Sequence, residues 1–183
     1  MKTLTTRYLM ACAAIGAATG VLLIPAFFVS FTISAAAPLA YAAMAGVWFL
    51  GPVVALAVLR RPGAAVLTML LAGIINIASP AGPSAIVTNL MVGAALEVGF
   101  LVTRYRIWRP WLFYVMGVLF QAYYAISAYA YFNIDDMTVA AQAGFFVLLL
   151  GSTLAFIKIG LVIAGRLAAA GVARGIAPVS AAR

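Results

Sequence analysis

Six long apolar stretches divide this sequence, and they constrain its fold more than any other feature. Each is close to the ~20 residues that an α-helix needs to cross a bilayer. Charged residues, Pro-Gly pairs and polar turns separate them. The stretches are residues 8–28, 39–59, 62–78, 84–103, 110–131 and 140–164. The sequence therefore predicts an all-α membrane protein, a single bundle of six transmembrane helices over residues 1–183 with a short basic tail at 167–183.

Composition excludes the soluble alternatives. Hydrophobic residues make up 67% of the chain and charged residues only 8%, which leaves too little polar surface to cover a water-soluble fold. A cleaved signal peptide would also begin with a basic segment and an apolar run, here followed by small residues at 35–37. The first apolar stretch, at roughly 21 residues, exceeds the 7 to 15 of a signal core. We therefore interpret it as the first span.

The basic residues predict the orientation of the bundle. The formal net charge is +8, but the basic side chains come in ones to threes between apolar runs and form no stripe for nucleic acid. Loops rich in Lys and Arg face the cytoplasm, whereas segments 29–38, 79–83 and 132–139 contain neither residue. Both termini are therefore predicted to be cytoplasmic. The residues on that side are Lys2, Arg7, Arg60, Arg61, Arg104, Arg106, Arg109, Arg166, Arg174 and Arg183.

Glu97 and Lys158 are the two charged residues inside the predicted spans. A charge at mid-depth in a bilayer costs roughly 2.5 to 3.5 kcal/mol on insertion scales, so each needs a partner or a function. Glu97 lies seven residues before Arg104, and Lys158 lies eight residues before Arg166. At 1.5 Å per residue, both are ~10 to 12 Å from the cytoplasmic boundary. Equal depth predicts an intramembrane ion pair between spans four and six. The alternatives are contact with a ligand, coupling to a partner, or proton-coupled transport, although no repeat halves are evident.

Aromatic and amide side chains share a face on each of three spans, toward the outer half of the bundle. Aromatic planes combined with a few amides suit a flat heterocycle that is sandwiched and hydrogen-bonded. Trp48 and Tyr124 are predicted to stack on its ring, and Asn89 and Gln121 to hydrogen-bond it. The candidate substrate-binding residues are Tyr41, Trp48, Asn89, Glu97, Gln121 and Tyr124.

Covalent and metal chemistry finds little support in this sequence. The chain has no His and a single cysteine, Cys12, so neither a His-based acid or base nor a Cys cluster for a metal can form. Asp135 and Asp136 are adjacent in a predicted external turn, and no nucleophile and base can be paired. We predict no catalytic residue, no metal site and no cofactor.

Small residues line one face of the first span. Such faces let helices approach closely in lipid, where apolar burial provides no net attraction between them. This face could pack within the bundle or dock another membrane subunit. Its members are Ala13, Gly16, Ala17 and Gly20.

Four ordered segments resemble a known family: YAAMAGVWF at 41–49, RRPGAA at 60–65, PAGP at 80–83 and EVGFLVTR at 97–104. Together they resemble the YkoE family, which comprises substrate-binding S components of energy-coupling-factor (ECF) transporters of the hydroxymethylpyrimidine/thiamine type. The resemblance implies a six-helix, non-enzymatic subunit in a prokaryotic plasma membrane. It also implies capture of a vitamin near the outer surface, with residues 29–38 as a lid.

The same resemblance implies partners. An ECF transmembrane coupling subunit would dock on the small residues of the first span, and two cytoplasmic ATPases would power transport. The chain has no Gly-rich phosphate-binding loop with Lys, so ATP hydrolysis would fall to those partners. Two alternatives remain open: an S component for another vitamin, and a small membrane assembly protein that binds no ligand.

Overall fold

The computed structural model describes residues 6–34 and 36–172, which form helices and turns with no strand. The all-α fold predicted from the sequence is therefore confirmed for these residues. Three 3₁₀ segments, Ala45–Phe49, Asn76–Ala78 and Ile134–Asp136, extend or link the α-helices. The α-helices are α1 Thr6–Ile33, α2 Pro38–Met44, α3 Leu50–Leu59, α4 Ala64–Ile75, α5 Ser84–Val102, α6 Pro110–Tyr131 and α7 Val139–Ala169.

Five helical stretches are long and apolar enough to cross a membrane. They are α1, α5, α6, α7 and the continuous stretch Pro38–Leu59, which consists of α2, a 3₁₀ segment and α3. The remaining predicted span, the third at 62–78, corresponds to the shorter apolar helix Ala64–Ala78, about 22 Å long at 1.5 Å per residue. Hydrophobic length thus located every helix, and most ends fall within a few residues of those predicted.

Two helices are longer than the sequence indicated. Helix α1 continues to Ile33, so the first half of the predicted lid at 29–38 is helical. The Thr32 hydroxyl supports this last turn by donating to the carbonyls of Phe28 and Val29. Helix α7 continues to Ala169, past the predicted boundary at 164. Residues 173–183 of the predicted basic tail, with Arg174 and Arg183, lie outside the described residues, as does Lys2.

Helix α4 packs between α1 and α5, and glycines permit the close approach of α1. A Cβ atom added to Gly16 would lie 2.8 Å from the Thr68 carbonyl oxygen, and one added to Gly20 would lie 2.9 Å from Cβ of Ile75. Both glycines are buried, whereas Ala13 and Ala17 are exposed. The small-residue face of α1 is therefore divided: its glycines pack against α4, and its alanines face outward.

The 3₁₀ segment Ala45–Phe49 follows the surface of α7. The Gly46 backbone amide donates to the Ser152 hydroxyl at 2.9 Å, and a Cβ atom at Gly46 would collide with the Ser152 backbone. Only glycine allows this approach. The segment interrupts the second span at the level of Trp48 and so positions that side chain.

Candidate ligand cavity

A cavity of about 560 Å³ opens at the end of the bundle that lies opposite the arginine-rich loops at 60–63 and 103–109. Its walls come from the last turns of α1, the start of the second span, the α4–α5 loop, α5 and α6. Four of the six predicted substrate-binding residues line it, namely Tyr41, Trp48, Gln121 and Tyr124. The structure thus brings together side chains that are separated by more than 80 positions in sequence.

Several polar groups in the cavity wall lack a protein partner. The Trp48 Nε1 and Ser30 Oγ atoms are buried without a hydrogen bond to any described residue, although both residues line the cavity. Gln121 is only 2% exposed, and its amide forms no side-chain hydrogen bond within the described residues. Buried donors and acceptors are almost always satisfied, because leaving one unpaired costs about 1 to 3 kcal/mol. The Gln121 amide is therefore available to a bound molecule, whereas the Trp48 Nε1 and Ser30 Oγ atoms lie unpartnered just behind the cavity surface.

Aromatic rings provide the flat surfaces of the cavity. The Tyr41 and Tyr124 hydroxyls share a hydrogen bond of 2.6 Å, which holds the second span against α6. The Trp48 ring lies edge-to-face with Phe27, with 5.3 Å between centroids. The arrangement suits a planar ligand that stacks on a ring and bonds through its edge.

Asn89 lies outside the cavity. It is fully buried, and its Nδ2 donates to the Ala85 carbonyl, one turn earlier in α5, at 2.8 Å. Its neighbours Thr88, Met91 and Val92 line the cavity instead. The helical period predicts that Asn89 faces inward, but its face of α5 contacts α4. A Cβ atom added to Gly73 of α4 would lie 3.5 Å from Cβ of Asn89.

Glu97 also lies away from the cavity and forms a cap on α4. Its Oε1 accepts from the Gly63 amide at 2.6 Å and from the Tyr105 hydroxyl at 2.8 Å. Its Oε2 accepts from the amides of Ala65 at 2.9 Å and Val66 at 3.3 Å. The N-cap residue of α4, Gly63, has no side chain to cap the helix. Glu97 therefore satisfies the free amides there and places a negative charge at the positive end of the helix dipole.

The predicted ion pair between Glu97 and Lys158 is not formed. Lys158 is exposed on α7, and α7 packs against the second span and α6, whereas α5 packs against α4 and α6. Because α5 and α7 are not adjacent, equal depth does not bring the two charges together. The carboxylate finds backbone donors instead.

Sequence reasoning missed the contribution of α1 and of small hydroxyl residues. Pairs spaced four apart, Ser30 with Ser34 and Ser84 with Thr88, line the cavity. Hydroxyls repeated at i and i+4 within apolar helices were the signal that could have revealed them. The extension of α1 beyond residue 28 is what brings Ser30 and Phe31 to the cavity.

The cavity is uncharged in the part of the chain that the structure describes. None of the described residues that line it is Asp, Glu, Lys, Arg, His or Cys. No group of three or more potential metal ligands of the His, Cys, Asp or Glu type occurs among the described residues either. The cavity therefore offers rings, hydroxyls and an amide, and no charged ligand for a metal ion.

Comparison with solved structures defines the class of fold. The chain superposes on a solved structure titled "Crystal structure of an S-component of ECF transporter" with a TM-score of 0.79. The superposition covers 96% of this chain and 91% of that chain, and the two sequences are 23% identical. The fold is that of an ECF-transporter S component. Residues 7–123 match the family described as the permease component of the ABC-type cobalt transport system, and the chain belongs to that family.

A curated relative agrees with the resemblance noted in the sequence. The chain is 32% identical over 110 residues to a Bacillus subtilis (strain 168) protein provisionally named HMP/thiamine permease protein YkoE. The match covers 59% of this chain and 51% of the relative, so the chain spans about half the length of that protein. The predicted relationship to YkoE is therefore confirmed.

Proposed function

We propose that this protein is the membrane-embedded S subunit of an ECF-type importer and that it binds thiamine or its hydroxymethylpyrimidine precursor in the 560 Å³ cavity. The observation that carries the proposal is the convergence of Tyr41, Trp48, Gln121 and Tyr124 on one cavity of a bundle with the S-component fold. The name of the Bacillus relative supports the choice of vitamin. The work of the subunit is binding and handover, without covalent chemistry.

Four cavity residues have defined roles in this proposal. Trp48 and Tyr124 provide aromatic surfaces for the ligand ring, and the Gln121 amide donates to and accepts from its edge. A cationic thiazolium is attracted to the aromatic faces, since the described cavity wall has no carboxylate. The buried, unpartnered Trp48 Nε1 and Ser30 Oγ complete the set of hydrogen-bonding groups once their side chains turn toward the ligand.

An organic ligand is favoured over a cobalt ion, despite the family description. Divalent cobalt prefers imidazole, thiolate or carboxylate ligands, and the chain has no His. The described lining of the cavity contains none of the three types. An organic molecule with flat rings fits the rings, hydroxyls and amide better.

The topology we propose has six spans, with both termini in the cytoplasm of a prokaryotic cell. The arginine-rich loops then lie inside, in accord with the positive-inside rule, and the cavity opens outside. The expected partners are a transmembrane coupling subunit and two cytoplasmic ATPases. Of the four small residues predicted to dock the coupling subunit, Ala13 and Ala17 are exposed for this role, whereas Gly16 and Gly20 are covered by α4.

The test is a binding titration of the purified protein in detergent, followed by tryptophan fluorescence. We expect saturable binding of thiamine or hydroxymethylpyrimidine, with riboflavin, biotin and Co²⁺ as the comparison set. Saturation by riboflavin or biotin alone would assign another vitamin to the same subunit class. Saturation by Co²⁺ alone would overturn the organic-ligand assignment. Absence of binding by every compound, together with no copurifying coupling subunit, would overturn the proposal as a whole.

A further inference from the structure

An open surface groove shares part of its wall with the ligand cavity. This groove, of about 440 Å³, lies between α5 and α6. Met91 and Phe120 line both the groove and the ligand cavity. The other groove residues are Ala94, Ala95, Val98, Met116, Leu119 and Tyr123. Apart from the Tyr123 hydroxyl, these side chains are apolar.

The two helices are closed against each other on one side of the groove and separated on the other. Toward the arginine-rich loops, Gly99 contacts Met116, and the rings of Phe100 and Phe113 lie 4.8 Å apart. Toward the other end, the facing residues of α5 and α6 line the ligand cavity and do not pack against each other. Met91 is 44% exposed on the bundle surface and also lines the cavity. It therefore extends through the wall.

The groove lies at the depth of lipid hydrocarbon. Positions 91 to 98 follow the first residue of α5, Ser84, by about 10 to 21 Å along the helix axis, and the hydrocarbon core of a bilayer is about 30 Å thick. Both α5 and α6 are long and apolar enough to span it. At that depth the molecules available to fill an apolar groove are acyl chains.

We infer that a lipid acyl chain occupies this groove and that Met91 and Phe120 form a lateral window between the bilayer and the ligand cavity. Methionine is unbranched and flexible, so Met91 can change rotamer without movement of the backbone. The window brings the acyl chain next to the cavity that holds Trp48. This inference requires α5 and α6 to lie in a bilayer, and it holds whichever molecule the cavity binds.

Trp48 is the reporter for the test. In a Trp108→Phe/Trp111→Phe protein it is the single tryptophan, and brominated acyl chains quench tryptophan at close range. The protein is reconstituted in phosphatidylcholine vesicles with acyl chains brominated near their middle. We expect quenching of Trp48 in this parent, more quenching after Met91→Ala widens the window, and loss of most of the quenching after Ala95→Phe fills the groove.

The matched control is Ala155→Phe, because Ala155 is an exposed alanine on α7 that lines neither the groove nor the ligand cavity. It should leave the quenching unchanged. Equal quenching in the parent, Met91→Ala and Ala95→Phe proteins, or a loss in Ala155→Phe as large as in Ala95→Phe, would overturn the inference.

A second measurement needs no tryptophan replacement. Native mass spectrometry of the wild-type protein released from phosphatidylcholine should show a retained lipid. We expect that lipid to be lost in Ala95→Phe and kept in Ala155→Phe. Equal lipid retention in the two variants would contradict a groove-bound acyl chain even if the tryptophan-substituted protein does not fold. Vitamin titration of the same samples tests the ligand cavity separately.

Discussion

Tyr105 donates a hydrogen bond to Glu97, with 2.8 Å between the hydroxyl oxygen and Oε1. The same carboxylate oxygen accepts from the Gly63 amide, so Glu97 joins the α3–α4 loop, α5 and the α5–α6 loop. Burial raises the pKa of Tyr105, and the hydrogen bond and charge of Glu97 raise it further. Tyr105 therefore remains a protonated donor at physiological pH, and the junction remains intact.

Replacing Glu97 should destabilise the bundle and spare the ligand cavity. In Glu97→Gln the amide nitrogen cannot accept from a backbone amide, and the charge at the N-terminus of α4 is lost. We expect the free energy of unfolding to fall by about 1 to 3 kcal/mol, measured by denaturation in detergent. Tyr105→Phe, which removes one of the four hydrogen bonds, should cost less, about 1 kcal/mol. A stable Glu97→Gln protein with lost vitamin binding would instead place Glu97 in the ligand site.

Lys158 should prove energetically independent of Glu97. Because Lys158 is exposed on a helix that is not adjacent to α5, Lys158→Met should not lower stability. A double-mutant cycle with Glu97→Gln should give a coupling energy below about 0.5 kcal/mol, as for distant sites. A coupling energy well above that value, measured by the same denaturation, would restore the ion pair.

Gln121 should determine ligand affinity more than stability. Leucine at this position keeps the volume but removes the amide that faces the cavity. We expect Gln121→Leu to weaken vitamin binding about tenfold, which corresponds to ~1.4 kcal/mol, in a fluorescence titration. The control is Gln142→Leu, since the Gln142 amide donates to the carbonyls of Ile134 and Met137 and does not line the cavity. Equal affinities of the two variants would remove Gln121 from the site.

Gly46 should tolerate no side chain. In Gly46→Ala the new methyl group would meet the Ser152 backbone, and overpacking of this kind costs about 1 to 3 kcal/mol. The melting temperature in detergent should fall. Gly151→Ala is the matched control on α7, where a Cβ atom meets nothing within 4 Å, and alanine there should be neutral or stabilising by up to ~1 kcal/mol. Similar melting temperatures for both variants would contradict the close approach.

Much of the architecture was predictable because hydrophobic length and helical period are local properties. The apolar runs located each helix, and the periodicity selected Tyr41, Trp48, Gln121 and Tyr124, which the structure brings to one cavity. The sequence also marks Glu97 as a charge that needs partners, and the structure supplies them. Each of these conclusions depends on residues close together in sequence, within one helix and its ends.

Tertiary packing decided the rest. Depth in the membrane and helical period do not reveal which helices are neighbours. Equal depth therefore predicts a pair between Glu97 and Lys158, whereas in the structure Glu97 binds amides at the start of α4. The same limit applies to Asn89, whose inward face meets α4 instead of the cavity. The sequence by itself determined the helices and the chemistry that they carry. Only the arrangement of those helices decided which polar groups found partners within the bundle and which were left free in the cavity wall.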